Sequence, residues 1–135
     1  MIVIDASAVV ELIHNDKGLQ EQIRAEILHD PQIITPEHTL LEVAQTFRRF
    51  WLVGEFGLEH FQAAISRLAE LDFETWPTKL LLSRIIELSP NATTYDAAYL
   101  ALSEELGAKL ITLDQKMAKV PGSAAWVQVI GDQPD

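Results

Sequence analysis

The sequence contains no cysteine among its 135 residues. Disulfides and thiolate metal sites are therefore excluded, and the composition fits a reducing compartment such as the cytoplasm. No apolar run approaches the roughly 18 residues that a membrane-spanning helix requires. The opening residues 1–5 carry no basic leader, and Asp5 interrupts their apolar stretch. We therefore expect a cytoplasmic protein with neither a signal peptide nor membrane contact.

Positive charge is also scarce. Ten Lys and Arg residues stand against 20 Asp and Glu residues, which gives a formal net charge of −10. A broad basic surface for nucleic acid is excluded, because phosphate binding usually depends on Lys and Arg. Either nucleic acid is not a ligand, or bound cations and a few local arginines make the contact. The acidity also suits a protein that binds a basic partner.

Several common catalytic motifs are absent as well. No glycine-rich phosphate loop follows the first apolar run, where Asp5 is followed by Ala, Ser and Ala. The HExxH zinc motif and the GxSxG nucleophile elbow are both missing. The histidines lack ligand spacing and are predicted to lie at the surface: His14, His29, His38 and His60.

The order of apolar segments predicts an α/β fold. The length and the 48% apolar content predict one globular domain over residues 1–135. Strands are predicted at residues 1–4, 32–35, 73–76, 109–113 and 125–130. Helices are predicted at residues 8–14, 18–28, 36–51, 58–71, 78–88 and 95–106, with a short helix or turn through Lys119. This alternation predicts a central, mostly parallel sheet with helices on both faces. Ser7 is predicted as the first helix N-cap, Pro36 in a helical first turn and Gly107 as a C-cap.

Four acidic residues follow strands or occupy the first part of helices in this scheme. Asp5 and Asp114 each come directly after a predicted strand. Asp96 lies in the first turn of its helix, and Glu42 lies in the first half of another. Because sites in open α/β sheets form beyond the carboxyl ends of the strands, we expect all four to converge in one pocket.

Each acid also has an ordinary structural explanation. Asp5 and Asp114 could simply begin turns, and Asp96 could favour a helix N-terminus electrostatically. Glu42 could belong to a solvated helix face. The functional prediction therefore depends on the set of four and on no single member.

A cluster of carboxylates indicates a particular chemistry. Like charges at close range are relieved by protonation or by a bound cation. Oxygen ligands without cysteine predict Mg²⁺, with Mn²⁺ as a substitute, in preference to zinc. Such an ion activates water and stabilises charge on a phosphodiester, so metal-assisted hydrolysis is the expected reaction. Ser7 and Thr112 could hydrogen-bond a carboxylate or a metal-bound water, although capping and strand packing explain them almost as well.

At these residues the sequence resembles the PIN-domain nucleases, specifically the VapC-type toxins of bacterial and archaeal toxin–antitoxin pairs. The similarity covers nearly the whole chain in order and spacing. Its motifs are VIDAS at residues 3–7, LEV at 41–43, TYDAAYLAL at 94–102 followed by Gly107, and LITLD at 110–114. The YDAAYLAL stretch is the most specific of them, and residues 51–90 match only as generic helices.

The resemblance implies a three-layer α/β/α PIN fold and an Mg²⁺-dependent endoribonuclease. It implies Asp5, Glu42, Asp96 and Asp114 as metal-binding, catalytic acids, with Ser7 and Thr112 in supporting roles. RNA would be cleaved by a metal-activated water. The implied partners are a second copy in a homodimer and a cognate antitoxin that covers the groove, with DNA contacted only through the antitoxin.

Other functions remain open at this stage. A non-catalytic partner-binding module on the same fold is one, and a PIN-domain nuclease outside toxin–antitoxin systems is another. A phosphoacceptor receiver domain ranks lower, since it would need paired acids after the first strand and a lysine at a strand end. Four scattered basic residues could contact RNA, but ordinary surface placement explains them better: Arg48, Arg49, Lys79 and Arg84.

Overall fold

A computed structural model describes residues 1–131 of the chain. These residues form five strands, which are β1 (Ile2–Ile4), β2 (Ile33–Pro36), β3 (Glu74–Trp76), β4 (Lys109–Thr112) and β5 (Val127–Val129). The strands make one sheet in the order β3-β2-β1-β4-β5, and every pairing is parallel. The predicted α/β fold with a central parallel sheet is therefore confirmed.

Helices cover both faces of this sheet. They are α1 (Ala6–Ile13), α2 (Gln20–His29), α3 (Thr39–Leu52), α4 (Leu58–Glu70), α5 (Leu82–Leu88), α6 (Thr94–Leu106) and α7 (Gln115–Lys119). A short 3₁₀ helix, Thr78–Leu81, leads directly into α5. Each predicted segment is present with bounds that differ by a few residues. Within residues 1–131 no helix is long and apolar enough to cross a membrane.

The central strand β1 is apolar along its whole length because both of its faces are covered. Ile2 and Ile4 pack into a core with side chains of α1 to α4. Val3 points to the opposite face and packs with side chains of α5, α6 and α7. Successive side chains of a strand alternate between faces, so three apolar residues serve two cores and produce the three-layer arrangement.

The positions of β1 and β4 determine where a site can form. The two strands are neighbours, with Ile4 paired to Ile111. From β1 the chain continues to β2 and β3 on one side, whereas β4 and β5 extend the sheet on the other side. A crevice opens at such a reversal, beyond the carboxyl ends of the strands. Asp5 and Asp114 follow these two strands, at this edge of the sheet.

Two local predictions are wrong. Ser7 is not the N-cap of the first helix, because α1 begins at Ala6 and Asp5 caps it by accepting a hydrogen bond from the Ala8 N–H at 3.1 Å. Pro36 does not lie in a helical turn but ends β2, opposite Trp76. A proline at the end of a strand leaves few ladder hydrogen bonds unmade, so the strand extends to it and α3 begins only at Thr39.

The prediction of surface histidines holds only in part. His29 and His60 are exposed, whereas His14 and His38 are partly buried. The His14 ring packs edge-on against Phe56, with centroids 4.8 Å apart. An imidazole has an apolar ring face, so aromatic packing accommodates it at the border of a core.

Gly107 ends α6 in the left-handed backbone conformation, which favours glycine. It ends α6 with φ of +62°, and a Cβ added there would meet no atom within 4 Å. Gly107→Ala should therefore lower the free energy of unfolding by about 1 kcal/mol through backbone strain alone. Urea unfolding monitored by circular dichroism measures this value. The matched control is Gly57→Ala, at a residue with φ of −72° and equally open space, where a change within about 0.5 kcal/mol is expected.

Candidate active site

The carboxylate of Asp5 is the most constrained group at the edge of the sheet. The residue is only 3% exposed. Its Oδ1 accepts hydrogen bonds from Ser7 Oγ at 2.6 Å and from the Ala8 N–H at 3.1 Å. Its Oδ2 accepts a hydrogen bond from the Thr112 hydroxyl. These bonds connect the end of β1 to α1 and β4, so one carboxylate joins three elements.

The two hydroxyl groups are themselves oriented by the backbone after β4. Ser7 Oγ accepts the Leu113 N–H at 3.0 Å, and Thr112 Oγ1 accepts the Asp114 N–H at 2.9 Å. A hydroxyl has a single proton, and in each case that proton goes to Asp5. Ser7 and Thr112 therefore act on the acid, and the sequence-based alternatives of capping and plain strand packing do not describe them.

Burial changes the acidity of Asp5. Its pKa is raised from the ordinary value of 3.8 to about 6, chiefly because burial removes the carboxylate from water. The hydrogen bonds from Ser7, Thr112 and Ala8 lower the pKa and offset part of this effect, while the negative charge of Asp96 raises it further. The carboxylate is thus held in a place where its negative charge is only partly compensated by the protein.

Asp96 lies in the first turn of α6. Thr93 caps this helix by accepting the Asp96 N–H at 3.1 Å. The side chain is half-buried, and its pKa is raised first by burial and then by the charges of Asp114 and Glu42. Lys116 acts in the opposite direction. Because Asp96 also acts on Asp5, the other three predicted acids all lie within electrostatic range of Asp96.

Glu42 lies against two aromatic residues, Tyr99 and His38, that the sequence motifs do not connect with the site. The Tyr99 hydroxyl donates to Glu42 Oε1 at 3.1 Å. Burial raises the pKa of Tyr99, so this group stays protonated as a donor. His38 Nε2 lies 3.0 Å from the same oxygen, but the two atoms are not oriented for a hydrogen bond.

His38 corrects the expectation of a surface histidine at this position. Its side chain is only 18% exposed, and its ring centroid lies 5.0 Å from that of Tyr99. The sequence feature that could have linked these residues to the site is their spacing. His38 precedes Glu42 by four residues on one helix face, and Tyr99 follows Asp96 by three. Neither spacing is specific enough to reveal the contact with Glu42.

Asp114 has a structural role as well as a place among the acids. Its Oδ1 accepts the Lys116 N–H at 2.9 Å and caps α7. The turn-forming explanation for this residue is therefore correct, and its charge still reaches Asp96. One side chain serves both the helix and the electrostatics of the site.

The four acids supply oxygen donors for a metal ion but do not enclose one. Across residues 1–131, no three His, Asp or Glu side chains are gathered closely enough to enclose an ion. Mg²⁺ usually binds one or two carboxylates and completes its shell with water and substrate phosphate, so a closed cage is not required. The donors are carboxylate oxygens, and their mutual repulsion is relieved by a cation. The chemistry of the residues therefore fits Mg²⁺.

Two cavities flank the acid cluster, separated by α3. One has a volume of about 620 Å³ and is mostly apolar, with His38, Leu41, Phe61 and Tyr95 in its lining. The other, of about 380 Å³, lies toward α1 and is more polar. Glu42 lines both. A molecule in either cavity would thus contact Glu42.

Comparison with known proteins agrees with this geometry. The sequence profile of the PIN domain matches residues 2–123. The chain belongs to the PIN-domain family. This PIN domain is similar to ribonuclease VapC9 of Mycobacterium tuberculosis, with 33% identity over 130 residues that cover 96% of this chain and 98% of the relative. Ribonuclease VapC12 of the same organism is 30% identical over 133 residues, covering 96% and 99% of the two chains.

A solved structure supports the same assignment at the level of the fold. The structure of VapBC2 from Rickettsia felis, bound to a DNA fragment from their promoter, matches with a TM-score of 0.69 at 13% identity. The match covers 97% of this chain and all of the other. The PIN domain described here therefore has the fold of that protein, and its full-length relatives belong to the VapC group.

The raised pKa of Asp5 predicts how stability depends on pH when no metal is bound. Between pH 3.8, the pKa of Asp5 in the unfolded chain, and about pH 6, its pKa in the folded protein, the folded protein keeps the Asp5 proton and the unfolded chain loses it. Stability from this group is thus present at low pH and is lost as the pH rises through that window. Relative to Asp5→Asn, the wild-type chain should lose about 2 to 3 kcal/mol of unfolding free energy between pH 4 and pH 7.

Urea unfolding of both proteins in EDTA, at several pH values, measures this difference. Asp72→Asn is the control, because it removes an exposed carboxylate in the segment between α4 and β3. A difference between Asp5→Asn and wild type that stays constant from pH 4 to pH 7 would show that burial does not perturb Asp5.

Proposed function

We propose that this PIN domain is an Mg²⁺-dependent endoribonuclease that hydrolyses RNA phosphodiester bonds and acts as the toxin of a toxin–antitoxin pair. The observation that carries the proposal is the buried Asp5 carboxylate at the boundary of β1 and β4, within electrostatic range of Asp96. Full-length similarity to ribonucleases VapC9 and VapC12 supports the reaction class.

The proposed metal ligands are drawn from Asp5, Glu42, Asp96 and Asp114, and Mn²⁺ can substitute for Mg²⁺. A bound Mg²⁺ supplies an activated water and stabilises negative charge on the attacked phosphodiester. An ionised carboxylate has about four acceptor positions. Ser7, Ala8 and Thr112 use three of those on Asp5, so one position on Oδ2 stays available for an ion.

The protein's own groups keep these acids in place. Ser7 and Thr112 fix the plane of the Asp5 carboxylate, since their protons are committed to it. Tyr99 holds one oxygen of Glu42. Asp96 is half-buried at the start of α6, where a substrate can approach it from solvent. The site is thus preorganised by hydrogen bonds on one side and open on the other.

The proposal includes protein partners. The solved VapBC2 complex from Rickettsia felis supports a cognate antitoxin, through which DNA would be contacted indirectly. Large apolar side chains are strongly exposed at Leu41, Leu80 and Ile86, and such side chains are typical of surfaces that become covered. A homodimer and an antitoxin are the proposed occupants, and we place the complex in the cytoplasm.

RNA cleavage tests the proposed activity directly. The purified chain, free of any partner, should cut total bacterial RNA in Mg²⁺ or Mn²⁺ and should stop cutting in EDTA. Asp5→Asn and Asp96→Asn should each lower the cleavage rate by at least about 100-fold, because each removes a charged ligand. Gel electrophoresis of labelled RNA measures the rates.

Asp72→Asn is the matched control for cleavage and should cut at the wild-type rate. A wild-type chain that cuts no RNA with either metal would refute the nuclease and favour the non-catalytic partner-binding module. A nuclease that binds no small partner protein when its neighbouring gene is co-expressed would instead belong outside toxin–antitoxin systems.

Metal binding has a readout that does not depend on activity. Mg²⁺ should raise the thermal unfolding midpoint of the wild-type chain, and a concentration 100 times the Kd adds about 2.7 kcal/mol to the unfolding free energy. The increase should be much smaller in Asp96→Asn, whose site lacks one negative charge. Calorimetry with and without Mg²⁺ measures both. An equal increase in the two proteins would mean that the ion binds elsewhere.

A further inference from the structure

The polar cavity beside the acid cluster has its own pattern of charge. It lies between α1, α3 and the loop that follows α1, with a volume of about 380 Å³. Ser7 and Glu42 form the end nearest the acids. Thr46, Arg49 and Lys17 also line it, together with Asp16, Glu11 and several apolar side chains. Two cations therefore share this cavity with three acids and with Ser7, which donates to Asp5.

Arg49 is not neutralised by the protein. Within residues 1–131 its guanidinium has no carboxylate at ion-pair distance, and Nη2 donates to Thr46 Oγ1 at 3.2 Å. Arg84 shows the contrast, because it binds both oxygens of Glu104 at 2.7 and 3.0 Å. Of the basic residues weighed from the sequence as RNA contacts, Arg84 is therefore occupied and Arg49 is available.

Lys17 is positioned by a buried acid. Glu11 is 2% exposed, and both of its oxygens accept the Lys17 N–H at 3.1 Å. One of them also accepts the Leu19 N–H at 2.7 Å. The carboxylate thus fixes the backbone of the loop and keeps Lys17 at the cavity. Asp16, the other charged group of this loop, lies 3.9 Å from His14 Nε2.

We propose that Lys17 and Arg49 hold a backbone phosphate of the RNA beside the acid cluster, with Glu11 as the positioning residue for Lys17. This inference rests on the proposed ribonuclease function. A chain of net charge −10 repels RNA, and its acid cluster repels phosphate most strongly, so local cations are needed where the strand enters. Arg and Lys also form the strong, charge-assisted hydrogen bonds that phosphate accepts.

The experiment compares Lys17→Gln and Arg49→Gln with Arg48→Gln. Arg48 is adjacent to Arg49 on the same helix but lines the apolar cavity. Its replacement therefore also removes one positive charge, but from the side of α3 away from the proposed phosphate site. The substrate is a labelled oligonucleotide spanning a site that the wild-type chain cuts in Mg²⁺. Lys17→Gln and Arg49→Gln should each raise KM roughly tenfold and leave kcat within about twofold. Arg48→Gln should change neither value.

Salt dependence provides a second readout. Each lost phosphate contact should reduce the slope of log kcat/KM against log salt concentration by about 0.7, the value for single strands. Glu11→Gln should raise KM in the wild-type background and have little further effect when combined with Lys17→Gln. Additive effects of these two substitutions would overturn the positioning role.

The outcomes separate this inference from the proposed function. If the wild-type chain cuts the oligonucleotide and both Lys17→Gln and Arg49→Gln match it in KM and salt slope, the phosphate site is refuted while the nuclease stands. Equal losses in all three variants, Arg48→Gln included, would indicate a general charge effect and also refute the site. A loss confined to binding of a partner protein would assign the cavity to that partner instead.

Discussion

The burial of one carboxylate at the end of the central strand organises the rest of this molecule. A charged group removed from water is costly unless it is hydrogen-bonded. Asp5 receives bonds from Ser7, Ala8 and Thr112, which belong to α1 and β4. The need to satisfy Asp5 therefore fixes how the first helix leaves β1 and how the chain turns after β4. The same bonds cap a helix and orient the Asp5 carboxylate.

The charge distribution of this acidic protein is compatible with the proposed action on RNA. The charges of Asp114 and Glu42 raise the proton affinity of Asp96 at one edge of the sheet, and a divalent ion would relieve that repulsion. Positive charge is scarce in the sequence, and Arg84 is paired with Glu104 within the fold. Affinity for RNA would then come from a metal and from a small number of local contacts, with little from the surface as a whole.

The fold and the acids could be predicted from sequence because their signals are local. Apolar runs followed by Asp5 and Asp114 mark the carboxyl ends of parallel strands, and topology brings those ends to one edge. The cap of α1 could not be assigned, because Asp5 and Ser7 are both good capping residues two positions apart. The contact of Tyr99 with Glu42 joins residues 57 apart in the chain, and Lys17 lines its cavity beside Glu11, which accepts its backbone N–H. Such relations depend on tertiary packing and leave no pattern in the sequence.

The location of α3 between two cavities has a consequence for inhibition. Glu42 lines the apolar cavity as well as the polar one, so its carboxylate can be approached from a side that carries few polar groups. A small apolar compound seated against Leu41 and Phe61 would reach this acid without imitating a nucleotide. Such a compound would occupy a cavity separate from the one in which the RNA phosphate is proposed to bind.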